Sequence, residues 1–344
     1  MMKKISILFL ACILTAGCYE EYVKDYDYSA IYIPYQYDLR SFVVGEGMKF
    51  NIGVELGGVI NNRQDRHVQI VLDDELVTGD LSRFGGIGPF TALDVMRGSS
   101  SEGAVSNSYV TEAFAGVDRL EALPSFCTNL QAGIPLVIRK GDHTAAFTVR
   151  ADSLAFLSLE GVSHQPRYAI GYRIVDAEAD TVLQSKRFGV IALRYECQLF
   201  GNWYHGGTSV RVDDRTGAEI PETRENYFTK IPADELTSAV YSLKTTGPKS
   251  VETNYVGGKA GKLMLVLDGG FVKVSAPDGS VTDLGSSWNR RSLLQERRIY
   301  LNYKLSQGDG TSILYTDTLT FRNRMRDGVN EWQDPEYDHY ELNK

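Results

Sequence analysis

The sequence lacks the short motifs that announce catalysis. It has no Gly-x-Ser-x-Gly elbow, no His-Glu-x-x-His pair and no phosphate-binding loop, so the common nucleophile, zinc and nucleotide signatures are missing. It also lacks any long basic run, and 36 Lys and Arg stand against 44 Asp and Glu, a formal charge of −8. Nucleic acid is therefore not an expected partner, because phosphate recognition needs a basic face. Histidine is sparse, at positions 67, 143, 164, 205 and 339 with no i,i+4 pair, and no metal or other cofactor is expected. Helical periodicity is scarce. After the leading segment, no apolar stretch is long enough to span a membrane.

That leading segment is informative. Lys3 and Lys4 form a positive n-region, and Ile5 to Leu14 form an apolar run of about ten residues, the layout of a secretory signal. Leu14-Thr15-Ala16-Gly17-Cys18 resembles the bacterial lipobox. The resemblance implies a signal peptide over 1–17 and a diacylglycerol thioether on Cys18. Several acyl chains anchor stably, at ~0.8 kcal/mol per buried methylene. An acidic tether, 18–28, follows with Glu20, Glu21, Asp25 and Asp27. Acidic residues directly after the lipidated cysteine resemble the surface-export signal of Bacteroidetes lipoproteins. The expectation is an outer-membrane protein, palmitate-type lipid-anchored and exposed at the cell surface.

Of four cysteines, Cys12 leaves with the signal and Cys18 carries the lipid. Cys127 and Cys197 remain, in an oxidising compartment. They could form a disulfide or stay as two buried thiols; spacing alone does not decide.

The chain of 344 residues suggests two domains. Strand-like alternation recurs over 30–37, 48–56, 67–72, 145–150, 167–175 and 182–193, separated by Gly-rich turns. Many short strands with such turns read as a β-sandwich over 29–196. Between about 77 and 134 the pattern weakens into a long insertion with a short helix expected near Glu112–Leu123. At Cys197 a second all-β run begins. Strands are expected over 202–212, 225–230, 239–244, 251–256, 262–267, 271–275, 299–304 and 312–321, with Asp-Gly turns at Asp278-Gly279 and Asp309-Gly310, where φ > 0 is needed. About eight meandering strands fit an up-and-down antiparallel barrel over 197–344; a second sandwich is the other solution.

Gly201-x-Trp203 resembles the lipocalin entry motif. That resemblance implies a lipocalin-like barrel in which Arg322 or Arg324 from the last strand covers Trp203. The stretches "IYIPY", "MKFNIGVEL", "HVQIVLDDEL" and "GIPLVIRKGDHTAAFTVRAD" resemble a family of Bacteroidetes lipoprotein modules, over roughly 28–195. The match loosens at "YAIGYRI". The second domain, with "DTLTFRNRMRDGVNEWQDP", looks like the partner often fused to it. The resemblance implies an immunoglobulin-like first domain and a glycan-binding or cell-adhesion role beside polysaccharide-utilisation systems.

A glycosidase needs two carboxylates facing across one bond, whereas adjacent Asp73, Asp74 and Glu75 on a strand point to opposite faces and read as a strand end. Asp176–Asp180 reads as a turn rather than a calcium loop. His205 reads as an ordinary strand residue on a half-solvated face, or else as lining a barrel mouth. Sugars stack on exposed rings with polar neighbours bonding their hydroxyls. Trp288, in "GSSWNRR", is the first such candidate, with Asn289 and Arg290 as polar partners, and Trp332 is the second; Trp203 reads as core. The sequence thus points to a non-catalytic, lipid-anchored binding protein for polysaccharide or host glycan. The alternative is a structural subunit assembling with other surface lipoproteins.

Overall fold

The computed structural model describes residues 28–86, 88–98, 108–227 and 239–332. Cys18, the signal segment and the acidic tether up to residue 27 lie outside the described residues. The fold is all-β: a two-sheet sandwich followed by a closed barrel.

The sandwich strands are β1 (Ala30–Tyr32), β2 (Tyr37–Val43), β3 (Lys49–Gly57), β4 (Arg66–Leu72), β5 (Glu121–Ala122), β6 (Gly133–Ile138), β7 (Thr144–Arg150), β8 (Tyr168–Ala177), β9 (Thr181–Val182) and β10 (Phe188–Glu196). One sheet has the order β7-β3-β1-β9; the other runs β2-β10-β8-β4-β6, with β5 beside β8. Ile31, Ile52, Val54, Ile70, Ile170 and Ile191 meet between the sheets. Each such side chain contributes roughly 1.5–3 kcal/mol on burial. The run expected over 30–37 breaks into β1 and β2 around Pro34, which cannot donate to a ladder.

The insertion explains why "YAIGYRI" does not alternate. Its short helices, Glu75–Thr78, Ala92–Met96 and Ser108–Ala113, cover the outer face of the larger sheet. Leu76, Val95, Met96 and Phe114 pack there on Leu39, Ala169, Val190 and Ala192. Strands β8 and β10 are consequently buried on both faces, and such strands read as continuous apolar runs. Gly171 lets the first helix seat closely: a Cβ there would lie 2.3 Å from the Asp73 carbonyl. The helix expected over Glu112–Leu123 instead sits at Ser108–Ala113, and Glu121–Ala122 is a strand.

The barrel strands are β11 (Gly201–Asp213), β12 (Glu225–Tyr227), β13 (Val240–Gly247), β14 (Ser250–Val256), β15 (Lys259–Asp268), β16 (Phe271–Ser275), β17 (Val281–Asp283), β18 (Ser286–Trp288), β19 (Arg298–Ser306), β20 (Thr311–Arg326) and β21 (Val329–Glu331). They meander antiparallel, and β11 pairs with both β13 and β20, which closes the wall. Strands β17 and β18 share one stave beside β19. Closure removes the unpaired edges that a second sandwich would keep. The end of the strand expected over 225–230 lies outside the described residues.

The sandwich stoppers one end of this barrel. Glu46, in the β2–β3 turn, accepts from Arg297 at 2.6 Å and from Nη1 and Nη2 of Arg324 at 2.9 and 2.7 Å. Arg324 also binds Glu331 at 2.7 Å. Nearby, Ser41 N–H donates to Asp327 at 2.8 Å, and Thr245 donates to Glu196. Cys127 and Cys197 are free and buried, one in each domain, so the unbonded alternative holds.

Candidate functional site

Strand alternation decides what fills the barrel. On β11, Trp203 and His205 point inward; on β20, Tyr315, Asp317, Leu319 and Phe321 do the same. The aromatic layer nearest the sandwich is apolar, with Trp203 meeting Phe321 edge-on at 5.3 Å. The middle layer is polar. His205 Nε2 lies 3.1 Å from Asp317 Oδ2, and Tyr303 donates to the same oxygen at 3.0 Å. The His205 ring stacks on Tyr241 at 4.6 Å, and the Tyr303 ring stacks on Tyr315 at 4.9 Å. Two backbone N–H groups of the β14–β15 turn complete the layer: Gly257 donates to the Tyr303 hydroxyl at 2.9 Å and Gly258 to the Tyr241 hydroxyl at 2.7 Å. Burial and the Asp317 carboxylate push the Tyr303 phenol well above its ordinary range.

Above this layer the barrel opens. A cavity of about 550 Å³ lies at the mouth, with Tyr315, Ile313, Val256 and Leu305 as its apolar lining and Lys259, Lys262, Asp278, Ser280 and Gln307 as its polar one. The lining comes from turns that the up-and-down topology gathers at one end: β14–β15, β16–β17 and β19–β20. Lys262 is held by Glu252 at 2.8 Å, and Asp278 caps its own turn by accepting from Ser280 N–H at 3.0 Å.

The sequence-derived candidates lie at the opposite end. Trp288 is not exposed as expected: it is 7% accessible, belongs to the barrel core and donates Nε1–H to the Gly269 carbonyl at 3.0 Å. Its small polar neighbours form a strand end rather than an open surface. Asn289 serves the loop, donating to the Glu296 carbonyl at 2.7 Å and accepting from Arg298 N–H at 3.1 Å. Arg290 is exposed, with φ +55. With Trp288, it lines a second cavity of about 390 Å³ between the domains. Trp332 is 60% exposed, just after β21 and far along the chain from the other three. The structure therefore brings Trp288 and Arg290 to one cleft and gives Asn289 a structural task.

Other expectations change as well. Of the two arginines expected at Trp203, Arg324 lies over the Phe200 ring at 4.9 Å and Arg322 over the Tyr204 ring at 5.6 Å. His205 faces the barrel interior, 3% accessible, rather than a half-solvated face. Asp73 pairs with Arg173 at 2.8 Å and Glu75 with Arg83 at 3.2 Å, as a charged strand end and helix start. Asp180 accepts from Ser29 N–H at 2.6 Å and so ties down the first strand. Among the described residues no group of three His, Cys, Asp or Glu could hold a metal ion. No described helix is long and apolar enough to cross a membrane.

The sequence does not display the mouth: each of its turns signals a hairpin by itself, and their convergence depends on barrel closure, which no single segment displays.

No family model matches the chain, and no curated protein matches it. Among solved structures, a protein of unknown function from Bacteroides ovatus superposes with a TM-score of 0.56 at 16% identity, over 90% of this chain and 98% of that one. The two share a fold. A multidomain protein including DUF1735 from the same organism covers 89% of this chain and 100% of its own at 10% identity, with a TM-score of 0.36. A Bacteroides ovatus protein provisionally described as carbohydrate binding covers 90% of this chain and 89% of its own at 12% identity, with a TM-score of 0.30. Both overlaps are too loose to define a common fold.

Proposed function

We propose that this chain is a non-catalytic carbohydrate-binding protein, held at the cell surface by lipid on Cys18, that receives its ligand in the open barrel mouth. The observation that carries the reading is the cavity of about 550 Å³ with its mixed lining. Barrel mouths are recurrent ligand sites, and apolar walls with a few placed polar groups are their usual chemistry. Lys259, Ser280 and Gln307 supply donors and acceptors suited to hydroxyls, while Tyr315, Val256 and Leu305 offer a surface for sugar C–H faces. The inner His205–Asp317–Tyr303 layer is read as a polar plug that fixes the barrel interior beneath Tyr315.

The soluble chain beginning after Cys18 is tested by affinity electrophoresis against host and plant polysaccharides. Retardation by one class, abolished by Ala276→Trp across the mouth, supports the reading. Retardation by none contradicts it. Fatty-acid labelling of the full chain, lost in Cys18→Ser, tests the anchor. A second reading, a structural subunit of a surface assembly, is favoured by one feature. Phe271 and Tyr300 are 71% and 41% exposed on the outer wall and flank Ser287 in register. Exposed apolar patches mark contact surfaces. Capture of a purified surface lipoprotein, with no binding to any sugar, would move the assignment there.

A further inference from the structure

The cleft between the domains is chemically unlike the mouth. Its lining comes from both domains: Val44 and Gly45 from the β2–β3 turn, Gln198 from the connection, and Lys249, Trp288 and Arg290 from the closed end of the barrel. Lys249 and Arg290 have no ion pair among the described residues, and no carboxylate lines the cavity. Glu46, next to Gly45 in the chain, is paired with Arg297 and Arg324. The cleft therefore carries two uncompensated positive charges beside an indole, on a chain whose net charge is −8. Absent side chains keep it open. Gly45 has φ +90, and a Cβ there would lie 2.8 Å from Gln198 Oε1. Gly269, also in the lining, has φ +61.

We propose that this interdomain cleft is a binding site for an anionic sugar unit, a pyranose ring bearing a carboxylate. Gln198 bonds the sugar's hydroxyls, Lys249 and Arg290 meet the carboxylate, and the ring packs on Leu267 and the small part of Trp288 that lines the cleft. A guanidinium can hold a carboxylate with two parallel hydrogen bonds, and an ammonium adds a point charge. A volume of about 390 Å³ accommodates such a unit within the range of small-molecule sites. The inference takes its ligand class from the carbohydrate reading but not its location, and it makes the domain junction a working surface.

The probe is a galacturonic acid trimer, with its methyl ester as the neutral control, titrated calorimetrically into the soluble mature chain. The acid should bind roughly tenfold tighter than the ester, and the difference should shrink with added salt. Lys249→Gln with Arg290→Gln should erase that preference, while Ala276→Trp at the mouth should leave it unchanged. Both variants change side chains exposed or half-buried in the fold, and an unchanged thermal transition verifies folding. Equal binding of acid and ester, binding unaffected by the double glutamine variant, or no binding of the acid overturns the cleft proposal. Acid binding that survives the mouth variant, with no neutral polysaccharide bound, sustains the cleft and removes the mouth.

Discussion

Glu46 is one residue on which two domains depend. Burial alone pushes its carboxyl up, but Arg324 and Arg297 overcome that penalty and hold it at about 2. Removing one partner from a buried ion cluster costs about 3–5 kcal/mol, because the remaining charges stay desolvated. Glu46→Gln should lower stability by that order in urea unfolding at neutral pH. A folded-state value below the unfolded one means that Glu46 stabilises fully above the ordinary carboxylate range, and that this contribution is lost as pH falls towards 2. The wild-type and glutamine curves should therefore converge in strong acid. Asp327 behaves oppositely. Burial, only partly offset by Arg40, raises its carboxyl to about 6. Its favourable contribution is complete below the unfolded value near 4 and disappears as pH rises through 6. Asp327→Asn should thus stabilise the fold by about 2–3 kcal/mol at pH 7.5, with the gain vanishing near pH 4. Paired thermal melts at the two pH values check it.

At the scale of elements, the β14–β15 turn joins the mouth to the plug. Gly257 has φ +55, and a Cβ there would lie 1.9 Å from the Tyr315 ring, while its N–H supports Tyr303. Gly257→Ala should cost about 2–3 kcal/mol through overpacking and backbone strain, read by thermal denaturation, with Gly279→Ala as a control at a turn with open space. This turn also shows why the fold was more legible than the site. Alternation along Met48–Leu56, His67–Leu72 and Asn202–Val212 reveals strands because each has faces with different neighbours. Trp288 misled because a polar stretch of sequence does not say which face is wet: Ser286 and the indole both turn inward, and only Ser287 between them is partly exposed. "YAIGYRI" misled for the converse reason, since the insertion covers a face that would otherwise be wet. His205 gave no hint of Asp317, 112 positions away, because only closure of β11 on β20 brings them together.

On the whole-molecule scale, the barrel has one end sealed by the sandwich and one end open. The seal is built from Glu46, Arg297, Arg324 and the Ser41–Asp327 contact, so the two domains should unfold in one transition by calorimetry, and Glu46→Gln should split it in two. The sealed end leaves the mouth as the entrance to the barrel, and the lipid anchor expected on Cys18 would present it outside the cell. The most direct test of the central claim is hydrogen exchange of the soluble chain with and without a polysaccharide that retards it. The account predicts slower exchange in the three mouth turns, around 256–262, 276–280 and 305–313, with the sandwich unchanged. Protection confined to the sandwich or the outer barrel wall, with the mouth turns exchanging as before, would contradict it.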